Sequence, residues 1–371
     1  HIKGSLAYLS DKPNISFEGD GSFDMMTQQV SLSGFEVKTE LSSYSMDQMR
    51  RSSPALKDTP LPESLAGGIN VFLRSLSAGP AGLISLNGET GLSNGKVLLK
   101  EIAVPVDQID ANIKMSESKI ILPESDLHIG QGKVSVQGTI DNYLTSQEYQ
   151  LTTKIESLSI IELIDQKDFA VKVHGLVNGE LGLSGQGFDS VKMGDALKGQ
   201  GDLTITEGKL TDINILKLVL DQLSFVPDLR QSLENELPQR FKDKLNQKDT
   251  MITEIKLNVG IGDKTILLNS LDMEADGFLF KGKGVAGFDQ SFNFEGAFII
   301  PQDMAKSMAT VVQEFELLYD EQGQIKFPLK VSGKGSNVKF SPDIQNITTN
   351  MIRNRGREEL QKVLDGVFDN N

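Results

Sequence analysis

The sequence predicts a mainly β protein: an elongated, curled antiparallel sheet, a half-barrel or groove built from successive hairpins, with a few flanking amphipathic helices. Three observations predict it. Apolar and polar residues alternate along much of the chain, most cleanly in "GQIKFPLKVSGKGSNVKFSP" (323–342). There Ile325, Phe327, Leu329 and Val331 share one face, while Lys326, Pro328, Lys330 and Ser332 share the other. The strand-like runs are short and separated by Asn-Gly, Ser and Pro turn signals, with no helix regularly between them, which favours hairpins over βαβ units. Finally, hydrophobic residues are 38% of 371, against about 45–50% in globular chains by a count that also includes glycine, so many solvated faces and an extended shape are expected.

Taken in order, residues 14–38 read as two or three strands, and 46–60, with Arg50, Arg51, Pro54 and Pro60, as a linker or exposed crossing. Residues 61–76 read as a helix, opening on Pro62 and Glu63 and carrying Leu65, Ile69, Phe72, Leu73 and Leu76 on one face. Strands resume over 82–140, 149–158, 170–187 and 198–211. The stretch "SIIELIDQKD" (159–168) marks the junction between an N-terminal β-rich section, residues 1–165, and a C-terminal one, residues 166–371. A helix is expected over 212–226, running up to Pro227, and a further one carries Leu229, Leu233, Leu237, Phe241 and Leu245, interrupted by Pro238. Residues 251–300 are unbroken β pattern. Met304, Met308, Val311, Phe315 and Leu318 make a helical stripe over 303–319, strands close the series at 324–340, and a terminal helix spans 343–368. "FEGDGSFD" (17–24), "VQGTID" (136–141) and "FKGKGVAGFD" (280–289) reuse one hairpin design, and their interior glycines mark bends that curl the sheet.

Composition excludes several kinds of chemistry. A net charge of −14 argues against nucleic acid, which needs a Lys/Arg footprint, and against electrostatic docking on anionic membranes. With no cysteine, thiolate catalysis, thiolate metal sites and disulfides are absent. His1, His128 and His174 are the three histidines and lack metal-type spacing. "GKGVAG" (282–287) satisfies G-x-G-x-x-G, yet an alternating strand follows it where a dinucleotide site needs a helix N-terminus, so these are hairpin glycines. Asp20, Asp24 and Asp126 show no regular calcium-loop spacing. Asn14 and Asn346 meet the Asn-x-Ser/Thr rule at chance level. No catalytic motif, cofactor site or metal site is expected. No stretch reaches the ~20 apolar residues that span a bilayer. The chain starts at His1 and reads as a piece of something longer or a processed product, which leaves room for a membrane anchor ahead of it.

"VHGLVNGELGLSGQGFD" (173–189) and "ALKGQGDLTITEGKLTDINI" (196–215) resemble the AsmA family: a Leu-x-Gly-x-Gly opening, an alternating strand, an acidic-Gly turn, then a leucine-rich helix. "LDMEADGFLFKGKGVAGFDQSFNFEGAFIIP" (271–301) is similar to its later hairpins, and 317–343 to its closing strand. The resemblance is close over 170–345 and looser over 1–165. It implies a protein anchored in the inner membrane of a Gram-negative bacterium, its bulk in the periplasm. It also implies a role in outer-membrane biogenesis, envelope protein partners, and kinship with bridge-like lipid-transfer proteins.

The apolar strand faces then decide the function. A dozen strands each turning three or four apolar side chains to one side must have that side covered, because each is worth about 1.5–3 kcal/mol on burial. One reading is a trough that holds the acyl chains of a phospholipid or other lipid, lined by Phe278, Phe280, Phe292, Phe294, Phe298, Ile325, Phe327, Leu329 and Val331, the head group remaining in water. For each of these residues plain core packing is the competing reading. A second function is a scaffold that assists or restrains outer-membrane protein assembly through strand edges. The terminal helix either caps the sheet or, through Arg353, Arg355 and Arg357 beside a Leu/Val face, lies on a membrane.

Overall fold

The computed structural model describes residues 1–7, 14–45, 62–99, 102–163, 166, 172–187, 194–222, 229–335 and 337–343, with 345, 347, 349, 352–354 and 356 beyond them. The mainly β, antiparallel class is what the chain adopts: the described residues form seventeen strands and few helices. They divide into two compact units. Unit 1 is His1–Asp165 with Leu176–Leu203 and Ile261–Lys264; unit 2 is Gln166–Gly175, Thr204–Gly260 and Thr265–Asn371.

Unit 1 is a meander. Strands β2 (Ile15–Asp24), β3 (Gln29–Ser45), β4 (Ser64–Gly79), β5 (Gly82–Leu98), β6 (Val106–Met115), β7 (Lys119–Ile129), β8 (Gly132–Asp141) and β9 (Glu148–Ser159) each pair antiparallel with the next. The short β1 (Ile2–Leu6) pairs with β2, and β10 (Val173–Gln186) returns along β9. Register aligns apolar side chains across the strands: Phe17, Val37, Val71, Thr90 and Ile113 are successive partners, as are Ile15, Thr39, Ile69, Leu92 and Ala111. A compact core forms where Val106, Ile129, Val134 and Leu158 meet, with Leu163 of the four-residue helix α1 (Ile160–Leu163) packed against it. Away from that end most of the apolar face is half-buried, with Leu41, Leu73 and Tyr149 buried singly, and the only helices described in unit 1 are α1 and a single turn at 194–196.

The helix expected over 61–76 is strand β4, and the correction has a physical reason. Leu65, Ile69 and Leu73 recur at i, i+4, i+8, a spacing that also keeps them on one face of a strand, because every even offset does. Gly67 and Gly68 oppose a helix, whereas Ile69, Val71 and Phe72 suit a pleat. Long ladders to β3 and β5 settle the competition, and Phe72 faces away from Leu73. The proposed linker at 46–60 lies outside the described residues.

Unit 2 adds a second layer. Strands β12 (Thr250–Gly262), β13 (Thr265–Ala275), β14 (Phe278–Gly287), β15 (Ser291–Ile300), β16 (Ile325–Lys334) and β17 (Asn337–Pro342) follow β11 (Lys198–Leu210), and β13 to β17 pair in sequence. Helices α2 (Ile215–Asp221), α3 (Leu229–Glu236), α4 (Gln239–Asn246) and α5 (Gln302–Val311), then a 3₁₀ turn (Gln313–Leu318), stand where helical periodicity predicts them, with Pro238 separating α3 from α4. Their apolar stripes cover one end of the sheet: Leu216, Val219, Phe241, Met304, Met308 and Phe315 close over Phe278, Phe298, Ile300, Ile325 and Phe327. Asn214 fixes α2 to α4. Its Oδ1 accepts from Lys217 N at 2.9 Å, and its Nδ2 donates to the carbonyls of Lys244 and Gln247, each at 2.9 Å. Of the terminal helix, the described part packs on this unit: Ile347 is buried, and Asn354 Nδ2 donates to Leu317 O at 2.6 Å. Arg355, Arg357, Leu360, Val363, Leu364 and Val367 lie outside the described residues.

Candidate functional site

Rows of side chains on the inner face of β13–β17 build the site. Pairing sets Met273 beside Phe280, Phe280 beside Phe298 and Phe298 beside Phe327. One pleat further, Leu271, Gly282, Gly296 and Leu329 align; then Gly284, Phe294, Val331 and Phe340; then Ala286, Phe292, Gly333 and Val338. The first row is sealed beneath the helices, where Phe298 is 0% exposed and stacks on Phe278 with ring centroids 4.7 Å apart. The last rows are only half-buried. Along these few strands, then, the apolar face passes from closed core to open cavity.

That cavity has a volume of about 490 Å³, within the ~300–1,000 Å³ of small-molecule sites. Phe278, Phe280, Phe298 and Leu329 reach it from the core, Phe292, Phe294, Val331, Val338 and Phe340 from the half-buried rows, and Leu210, Ile213, Ile215, Ile255, Leu271 and Met273 from the preceding strands and α2. Its lining is hydrocarbon almost throughout. The position of Ile213 and Ile215 is fixed by Thr250, whose Oγ1 donates to Ile213 O at 2.7 Å and accepts from Ile215 N at 2.9 Å.

Glycine makes the room. A Cβ on Gly296 would fall 2.8 Å from Phe280 Cζ and 2.7 Å from Gly282 Cα, and one on Gly333 would fall 2.7 Å from Phe292 Cζ. The Phe280 and Phe292 rings therefore lie over bare backbone, in space that a side chain at Gly296 or Gly333 would contest.

The polar groups collect at one rim, the β14–β15 turn, where Gly287, Gln290, Ser291 and Gly335 complete the wall. Asp289 orders this turn. It accepts from Ser291 Oγ at 2.6 Å and Ser291 N at 3.1 Å, and pairs with Lys334 Nζ at 2.8 Å. The Lys334 ammonium and then the Ser291 hydroxyl and amide hold its carboxyl far below the ordinary value. An apolar hollow with a charged, hydrogen-bonded lip suits an amphiphile. Among the described residues no cluster of three or more His, Cys, Asp or Glu is placed to hold a metal.

Of the nine residues selected from the sequence, Phe278, Phe280, Phe292, Phe294, Phe298, Leu329 and Val331 line this one cavity. Ile325 and Phe327 share their face but sit in the helix-covered core, 0% and 2% exposed. Sequence reasoning missed Leu210, Ile255, Leu271 and Met273, although their alternation within 198–211 and 251–275 was a usable signal, and it missed Ile213 in the segment leading into α2. It also passed over the inner face of unit 1, part of which lay in the misread β4.

Residues 92–267 match the model of the AsmA family. The match takes in "ALKGQGDLTITEGKLTDINI" and stops within β13, so most of the cavity-lining phenylalanines lie beyond it. No curated protein and no solved structure matches the chain.

Proposed function

From the match of residues 92–267 to the AsmA family, a family associated with the bacterial envelope, we propose that unit 2 binds the acyl chain of a phospholipid in its apolar cavity. In this reading the protein is non-enzymatic and supports phospholipid transport and outer-membrane biogenesis from the periplasm, anchored to the inner membrane by a segment outside this sequence. No helix among the described residues is long and apolar enough to cross a membrane. The observation that carries the reading is a hydrocarbon-lined hollow bounded at the β14–β15 turn by Gln290 and Ser291, with Ser291 bonded to Asp289, which pairs with Lys334. Acyl recognition there needs no directed hydrogen bond: contact with Phe292, Phe294 and Val331 removes apolar surface from water, worth about 25 cal/mol per Å². The phosphate and glycerol would remain at the rim, beside the exposed Lys334 ammonium.

Mass spectrometry of an organic extract tests this. The purified chain should carry phospholipid, and Val338→Trp, which fills the half-buried end of the cavity, should lose most of it while keeping the wild-type circular dichroism. A photo-crosslinking residue at Phe294 should label lipid in cells; one at Phe327, deep in the core, should not. A lipid-free wild type, or equal lipid in the filled variant, would exclude the cavity and favour the strand-edge scaffold.

A further inference from the structure

Two adjacent hairpin tips of unit 1 carry four strongly exposed apolar side chains. At the β2–β3 turn Phe23 is 59%, Met25 84% and Met26 95% exposed; at the β4–β5 turn Ile84 is 56% exposed. The tips are neighbours, since Val30 pairs with Ala78 and Phe23, Met25, Val30, Ala78 and Pro80 share one shallow recess. Ile84 lies at the same edge, its Cδ1 3.3 Å from where a Cβ on Gly79, itself in that recess, would be.

The β2–β3 tip is built to project. Asp24 Oδ1 accepts from Met26 N at 2.8 Å and Thr27 N at 3.3 Å, so the turn is closed by the carboxylate and both methionines point outward. Nothing in the core of unit 1 uses them.

Charge selects the partner. Residues 25–35 and 75–88 contain no charged side chain, in a chain of which 24% is charged. The first ion pair on β4–β5, Arg74 with Glu89 at 2.9 Å, stands five residues from the turn, a distance of ~16 Å at strand rise. The β6–β7 turn, at the same end of the meander, carries Glu117 between Lys114 and Lys119. Within that depth β2 adds two acidic groups, Asp24 at the tip, its carboxylate turned to the Met26 and Thr27 amides, and Asp20 four residues back. A protein interface is normally rimmed by polar and charged groups of both signs, whereas an apolar edge free of Lys and Arg over this depth suits the interfacial zone of an uncharged bilayer. The absence of Lys and Arg rules out attraction to anionic head groups, and the net charge of −14 opposes it.

We propose that the paired β2–β3 and β4–β5 tips dock unit 1 on a lipid bilayer by inserting Phe23, Met25, Met26 and Ile84 into a zwitterionic surface. This is independent of acyl binding in unit 2, and either holds without the other. The chain lacks tryptophan, so Met26→Trp supplies a single reporter in the otherwise intact protein. With phosphatidylcholine vesicles its emission should shift to the blue and be quenched by bromine-labelled acyl chains, whereas Glu295→Trp, in unit 2, should not respond. In flotation, the double variant Met25→Ser/Met26→Ser should bind about tenfold less or weaker still, and added salt should not release the wild type. The idea is overturned by unquenched Met26→Trp emission, by flotation that survives the double variant, by binding that requires anionic lipid, or by a reporter shift that follows protein concentration without vesicles, which would make the tips a self-association surface. Lipid extraction from the double variant separates this outcome from that of the cavity: it should recover as much co-purified phospholipid as from the wild type.

Discussion

Asp289 shows how one exposed residue shapes the cavity rim. With Lys334, then Ser291, stabilising its ionised form, the carboxyl titrates below its ordinary 3.8. The sign follows from linkage: a depressed folded-state value contributes stability in full above the unfolded-state value, and that contribution fades as pH falls through the folded-state value. Carboxyl NMR should therefore show Asp289 still ionised when the pH is below 3.8, and Lys334→Met should move its midpoint upward; a wild-type midpoint at the ordinary value would remove the rim's electrostatic role. Nothing in the sequence announces this pair, because Asp289 and Lys334 meet only through the β14–β15–β16 register. The phenylalanines were easier. Alternation puts Phe292, Phe294, Phe298 and Phe327 on one face, yet it is silent on what lies opposite, so buried Phe327 and cavity-lining Phe294 look alike until the helices are in place.

At the scale of elements, helices and hairpins of unit 2 were legible because each helix has a stripe wide enough to read, as in Met304, Met308 and Phe315. Strand β4 was not, since Leu65, Ile69 and Leu73 satisfy both periods and only the intervening Val71, with its ladder partners Val37 and Thr90, breaks the tie. Neighbouring substitutions distinguish the two. Leu73 is buried on the inner face and Phe72 is 39% exposed on the outer. Leu73→Asp should lower the stability by several kcal/mol, about 2 kcal/mol or more beyond Phe72→Asp, in urea unfolding followed by circular dichroism. On a helix both would lie on the apolar stripe and cost alike, so equal losses would reinstate the helical reading.

Across the whole molecule, the two units are stabilised differently. Unit 2 buries a large cluster between helices and sheet, whereas the buried cluster of unit 1 is four residues at one end of a long meander. Local opening is easiest where few apolar contacts must break. Hydrogen exchange should leave the amides of Phe298, Ile300, Ile325 and Phe327 protected last, with those of β2–β5 exchanging about tenfold faster or more; uniform protection would show that unit 1 has another source of rigidity. Its inner face was only partly readable because β-propensity reports a pleated surface, not which of its sides is left without a second layer.

Where Phe280 and Phe292 recline on Gly296 and Gly333, the rings take space that a Cβ would contest. Any side chain rooted there would push a ring off the sheet and into the hollow. The contour of that wall is thus written into the backbone as much as into the groups that face it.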